Sequence, residues 1–147
     1  MLTVAEIMTR EPYTLGPDAT LLDAAKMMAE HHIRHIPITG PDSSVIGLVS
    51  HRDVLAASDS RVLQDLTDDG GKEGYVALSA VMSSPVQTTT EDAGLMGVAI
   101  KLRRQRLGCL PVIRAGTLVG IISDSDFLEV AITLLEQMEM TEPEEDF

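Results

Sequence analysis

Tryptophan is absent from this 147-residue chain, and aromatic residues make up only 3% of it. Its core must therefore be assembled from Leu, Ile, Val, Ala and Met, which fill space by close interdigitation. A single cysteine, Cys109, excludes an internal disulfide, and its neighbours Leu110 and Pro111 mark it as a small buried hydrophobe. No apolar run approaches the roughly 20 residues of a membrane span. The opening Leu2-Thr3-Val4 lacks the basic-then-apolar pattern of a signal segment. No membrane insertion and a cytoplasmic location are the expectations.

Basic residues are also scarce, 11 against 23 acids, for a formal charge of −12. Half of that excess falls in residues 136–147, where Glu136, Glu139, Glu142, Glu144, Glu145 and Asp146 stand without a base. This tail reads as a solvated, frayed end. An acidic balance argues against a nucleic-acid backbone or an anionic membrane as partner, since both need a cationic surface. A small phosphorylated ligand in a local cationic pocket stays compatible. No catalytic constellation stands out: there is no Gly-rich phosphate loop or activated cysteine, and His51 beside Asp53 is too local for a triad. The chain is not expected to be an enzyme.

What the sequence does hold is a duplicated ledge. Gly47-Leu48-Val49-Ser50-His51-Arg52-Asp53 returns 73 residues later as Gly120-Ile121-Ile122-Ser123-Asp124-Ser125-Asp126. Each is a short apolar run, a hydroxyl, and a carboxylate three residues on, followed by apolar residues at helical spacing. A buried strand breaking into a helix places hydroxyl and carboxylate about one turn apart, facing one cleft. Ser50 and Asp53, or Ser123 and Asp126, could equally serve as helix caps, and capping can coexist with binding.

The rest of the chain repeats in the same order. Thr3-Val4-Ala5-Glu6 fits a capping box for a short helix, stopped by Arg10-Glu11-Pro12. Thr20, with Asp23 as its reciprocal partner, caps a helix whose apolar stripe is Leu21, Leu22, Ala25, Met28 and Ala29. Ile36-Pro37-Ile38 is a strand, with Pro37 near its start or on an edge. Val45–Val49 is a strand buried on both faces. In the second half Ala80-Val81-Met82-Ser83, Asp92-Ala93-Gly94-Leu95, Leu110-Pro111-Val112 and Leu118–Ile122 take the corresponding places. Two copies with a period above 70 describe a pseudo-two-fold pair rather than a solenoid. The divisions are 1–57 for the first repeat, 58–77 for a linker with a helical turn around Val62, Leu63 and Leu66, 78–135 for the second repeat, and 136–147 for the tail. A last helix from about Ser125 has an apolar face (Phe127, Leu128, Val130, Ala131, Leu134, Leu135, Met138) wider than one core needs, which points to a partner surface.

The Met-Thr opening, the Pro-Asp-Ala-Thr helix start, Arg-His-Ile-Pro-Ile and Gly-Leu-Val-Ser-x-x-Asp resemble a CBS motif (the cystathionine-β-synthase type). Two in register resemble a CBS pair, or Bateman module, over residues 3–57 and 78–131. The resemblance implies an α/β fold of two β-α-β-β-α repeats about a pseudo-two-fold axis, with two clefts between them and homodimerisation. It also implies a regulatory, energy-sensing role: binding of adenine nucleotides such as AMP or ATP, or of other adenosyl compounds, and modulation of a separate, unidentified protein partner. No cofactor is implied. The alternative is a ligand-free pair acting as a dimerisation or docking scaffold.

Carried over by position, the family's first cleft takes Leu48, Ser50, Arg52 and Asp53, with Met82, Val86, Gly108 and Pro111 from the other repeat. The second takes Ile121, Ser123, Ser125 and Asp126, with Met8, Tyr13, Arg34 and Pro37. Asp53 and Asp126 would accept from ribose hydroxyls, and Ser50 and Ser123 would donate to a ribose or phosphate oxygen. Arg34 stands where the family often has a phosphate-binding base; its counterpart is Gly108, so one base is missing. Arg52 and His51 would favour phosphate at the Asp53 cleft, and Asp124 would repel it at the Asp126 cleft. Lys101, Arg103, Arg104 and Arg106 form a basic helix end, read as an exposed face or as a phosphate or partner contact. His31 and His35 have metal-ligand spacing, but the helix should end between them without other ligands alongside, so no metal is expected.

Overall fold

The computed structural model describes residues 1–59 and 76–141. The surest helix of the sequence, α2 (Leu21–His31), starts where Thr20 accepts the Asp23 amide at 3.2 Å and Asp23 accepts the Thr20 amide at 2.9 Å. Two donors that no turn of the helix can satisfy are thus both paired. The helix stops because His32 takes the left-handed conformation, φ 54°, and the Ile33 amide folds back onto the Met28 carbonyl at 3.2 Å. Its buried stripe is Leu21, Ala24 and Met28, whereas Leu22 and Ala29 lie on the exposed flank. The expected stripe was displaced by about one position, because the leading Leu pair left the centre of the apolar face ambiguous.

Strands β2 (His35–Thr39) and β3 (Val45–Ser50) form an antiparallel hairpin in which Pro37 faces Leu48. Pro37 sits in mid-strand rather than at its start, but on an edge strand, the other position open to it. Its absent donor is harmless because its ring nitrogen faces the side where only Leu15 bridges, as a donor to the Pro37 carbonyl at 3.3 Å. β3 is less enclosed than its composition suggests, with Gly47 and Val49 buried and the others half-buried. It runs directly into α3 (His51–Ala57).

The second half repeats these elements as α4 (Leu95–Gln105), β4 (Cys109–Arg114), β5 (Thr117–Ser123) and α5 (Asp124–Thr141). Pro111 faces Ile121, as Pro37 faces Leu48, and Thr89 takes the place of Leu15. The tight turn between β4 and β5 has positive φ at both Ala115 and Gly116, the twist that a two-residue hairpin loop requires. α5 continues through Thr141, so residues 136–141 of the acidic tail are helix rather than a frayed end. Residues 142–147, and the turn expected around Val62, Leu63 and Leu66, lie outside the described residues.

Two apolar cores result, and each draws on the opening segment of the other repeat. Short helix α1 (Val4–Ile7) and strand β1 (Thr9–Arg10) leave their own repeat: β1 pairs with β5, and Val4 and Met8 are buried with Leu95, Val98, Leu102, Leu110, Val112 and Ile122. Conversely Val76 and Leu78 are buried with Leu21, Met28, Ile36, Ile38 and Val49, and Ser83 exchanges two backbone bonds with Leu48 at 2.9 and 3.1 Å. Burying each such side chain contributes about 1.5–3 kcal/mol, so each half depends on the other for its core. The crossing also explains why Thr3 does not cap α1. The Val4 and Ala5 amides are taken by the Ala93 and Glu91 carbonyls at 2.9 Å each, and the Thr3 hydroxyl turns to Glu6 at 3.5 Å instead.

Glycine is required where the crossing segments lie over the strands. A Cβ at Gly47 would run into the Met82 side chain. One at Gly120 would stand 2.7 Å from the Met8 sulfur and 3.0 Å from the Thr9 carbonyl oxygen.

Candidate functional site

Both ledges form at strand-to-helix junctions, and their local bonding differs. At the first, the Asp53 amide donates to Ser50 Oγ at 3.0 Å and the Ser50 amide donates to Asp53 Oδ2 at 2.8 Å. Asp53 Oδ1 makes no hydrogen bond among the described residues, and the Ser50 hydroxyl keeps its own proton free to donate. At the second, the Ser123 amide donates to Asp126 Oδ2 at 2.8 Å, but the Ser123 hydroxyl also donates to that oxygen at 3.2 Å and lies 2.8 Å from Ser125 Oγ. The second hydroxyl is therefore committed internally, and the first is available.

The crossing segments arrange the other expected residues. Residues 82–86 run from the bridge at Leu48 toward the bridge between Thr89 and Val112, which sets Met82 and Val86 on the path between Leu48 and Pro111. Likewise Met8 and Tyr13 lie on the path from β5, where Thr9 faces Ile121, to the bridge between Leu15 and Ile38 next to Pro37. The Tyr13 ring is engaged elsewhere, stacked on His31 with centroids 3.8 Å apart.

A cavity of about 800 Å³ opens between the first ledge and the end of α4. It brings together Ser50, Arg52 and Gly108 from the first expected set, and Arg34 from the second. Leu48, Asp53, Met82, Val86 and Pro111 do not line it. Arg34 is drawn here because its carbonyl accepts the His51 amide at 2.7 Å, tying it to the start of α3. The remaining lining includes His35, His51, Arg103, Arg106 and Asp124. The two α4 arginines were legible only as part of a basic helix end; their i, i+3 spacing was the available signal. A second cavity, about 530 Å³, holds Ser125 and Asp126 beside Leu2, Ile7 and Glu129, without Met8, Tyr13, Arg34, Pro37, Ile121 or Ser123.

The first cavity is cationic. Four arginines and one acid, Asp124, are among its lining residues, and the Asp124 amide donates to the Gly108 carbonyl at 3.0 Å. Burial pushes the His35 imidazole below its ordinary pKa; Asp124 and Asp53 pull it back up, and Arg34 adds to the lowering. Cys109, at the position equivalent to His35, is buried, and its thiol is pushed up to about 12 by burial and then by Asp124. Such a thiol is inert packing, as the sequence suggested.

Known proteins share this fold. The family model described as CBS domain matches twice, at residues 4–60 and 78–133. Among curated relatives, a homoserine O-acetyltransferase of Methanosphaerula palustris is 31% identical over 82% of the chain, which spans only 22% of that enzyme. A CBS domain-containing protein of Dictyostelium discoideum is 28% identical, with 90% of this chain and 93% of that one aligned. Among solved structures, one described as an acetoin utilization protein (AcuB) from Vibrio cholerae superposes with a TM-score of 0.82 at 40% identity, over 95% of this chain and 98% of its own. The CBS domain pair of protein MJ0100, in complex with 5′-methylthioadenosine and S-adenosyl-L-methionine, gives 0.79 at 22% identity, over 91% and 98%. CBSX2 in complex with AMP gives 0.78 at 22% identity, over 92% and 99%.

Proposed function

The chain belongs to the CBS-domain family, with two copies in tandem, and from that premise we propose that it is a regulatory module binding an adenosyl ligand at the Ser50–Asp53 ledge. The observation that carries this reading is the free valence there: among the described residues Asp53 Oδ1 is unbonded and the Ser50 proton is unspent, next to a cavity lined by arginine. A carboxylate oxygen so placed can accept from the neighbouring hydroxyls of a ribose, and arginines beyond it can take phosphate in a bidentate grip. The adenosyl ligands of the MJ0100 pair and of CBSX2 support the ligand class. Leu48, Met82, Val86, Gly108 and Pro111 would frame the nucleoside. At the other ledge, Ile121, Ser123, Ser125 and Asp126, with Met8, Tyr13 and Pro37 opposite, would form a weaker site for a less charged adenosyl compound. The role is binding rather than catalysis, and it acts on a separate protein.

Calorimetric titration with AMP, ATP and S-adenosylmethionine tests this. Asp53→Ala should weaken the tightest ligand by about tenfold or more, as loss of a charge-assisted bond worth ~1.5–3 kcal/mol requires, and Asp126→Ala should weaken it less. Equal losses would remove the asymmetry. A second reading, a scaffold without ligand, is favoured by the exposed apolar residues of α5, among them Leu128 at 62% and Met138 at 59% exposure. Absence of any thermal shift across the same ligands would favour it.

A further inference from the structure

We propose that Glu91, gripped by Arg10 and Arg114, is a positioning residue for the second ledge. It clasps the N-terminal crossing segment to the second repeat and so sets Met8 and Tyr13 opposite Ser123 and Asp126. The proposal rests on that ledge being a ligand site, and it adds what holds the far wall of the site in place. Arg114 donates to Glu91 Oε1 through Nε at 2.6 Å and also through Nη2, and Arg10 Nη1 lies 3.5 Å from Oε2. The Glu91 side chain is only 17% exposed, although both arginines lie largely in solvent. Its backbone is engaged as well. The Glu91 carbonyl accepts the Ala5 amide at 2.9 Å, and the Ala5 carbonyl accepts Arg10 Nη2 at 3.4 Å. Glu91, Ala5 and Arg10 thus close a ring of bonds at the start of α1. An isolated exposed pair would contribute little, but two cations on one shielded carboxylate form a network.

The pseudo-two-fold shows the clasp to be one-sided. The backbone bonds of the two crossing segments match: the Leu78 and Ser79 amides donate to the Ala19 and Pro17 carbonyls at 2.8 and 3.1 Å, as the Val4 and Ala5 amides do to Ala93 and Glu91. The side chains do not match. At a constant offset of 74 residues, Glu91 corresponds to Pro17, Arg10 to Ser84 and Arg114 to Gly40. None of the three positions carries a charge in the other half, whose core closes without them. Beyond the clasp the segment turns at Glu11, φ 49°, a left-handed conformation unfavourable to a residue with a Cβ. Tyr13 then stacks on His31. The segment between is therefore held at both ends over β5, where Thr9 faces Ile121 two residues before Ser123. Removing the Glu91 charge frees one end, and the wall opposite the second ledge loses its fixed place.

The test follows amide hydrogen exchange and ligand binding in the full chain. In Glu91→Gln, the Val4 and Ala5 amides should exchange about threefold faster or more, with Leu78 and Ser79 unchanged. Glu91→Asp, which keeps the charge on a shorter arm, should recover part of the protection. Added salt should speed the same two amides in the wild type and leave them unaltered in Glu91→Gln. On an Asp53→Ala background, the S-adenosylmethionine binding that Asp126→Ala removes should weaken about threefold or more with Glu91→Gln. Unchanged exchange at Val4 and Ala5 would overturn the proposal. So would an equal rise at Leu78 and Ser79, which would make Glu91 a general stabiliser. Faster exchange with unaltered affinity would overturn the positioning role and leave only a fastening. If exchange responds to Glu91 while no adenosyl compound binds in any variant, the clasp stands and the ligand reading fails. If Asp126→Ala removes binding but Glu91→Gln alters neither exchange nor affinity, the ligand reading stands and the clasp fails.

Discussion

His35 is half-buried against Gly108, and folding depresses its pKa below the ordinary 6.5. As pH falls through 6.5, the unfolded chain takes up a proton that the folded chain resists, so stability is lost toward acid and is intact above that value. Melting temperature should therefore fall as pH is lowered from neutral through 6.5, and His35→Gln should flatten that slope. An unchanged slope in the variant would place its origin in another group. At this scale the sequence was most readable where chemistry is local. Cys109 was recognisable as inert from its neighbours, and Ser50 and Asp53 from their three-residue spacing. Position alone could not bring Arg34 to the first cavity, because the backbone bond that ties it to His51 joins residues whose adjacency only the hairpin creates.

Two helix starts with the same sequence signature behave differently. At Thr20 the reciprocal box with Asp23 forms, and Thr20→Ala should cost about 1 kcal/mol in urea unfolding. At Thr3 no side-chain cap forms, and Thr3→Ala should lie well below that cost. A loss at Thr3 as large as at Thr20 would show that the Glu6 contact carries weight. The difference marks what local patterning can convey. Hydrophobic periodicity and turn residues located α2, both hairpins and α4, since most of their backbone bonds are internal, although the first amides of α2 and α4 donate to the Val76 and Leu2 carbonyls of the other repeat. Where amides are answered from the other repeat, as those of Val4 and Ala5 are by Ala93 and Glu91, a local signature has no access to the answer. The length of α5 is likewise hidden from local patterning, because an acidic composition that suggests fraying here continues a helix through Thr141.

For the molecule as a whole, the resemblance implies a homodimer, and the exposed stripe on α5 (Leu128, Ile132, Leu135) is the face on which that expectation can be tested. Leu128→Asp/Leu135→Asp should shift the protein toward monomer in light scattering without unfolding it, since neither side chain is buried. An oligomer that survives both charges would move the contact elsewhere. The duplication itself was plain from sequence, but the exchange of opening segments was not. Repeats aligned end to end say nothing about which sheet receives Val4 or Leu78.

That exchange determines how the chain can come apart. Neither hydrophobic centre closes until segments from both repeats have met, so a half-melted intermediate would expose both. Denaturation should proceed as one cooperative event, with near- and far-ultraviolet signals lost together. For the same reason, a perturbation at one groove cannot remain confined to the half on which it falls.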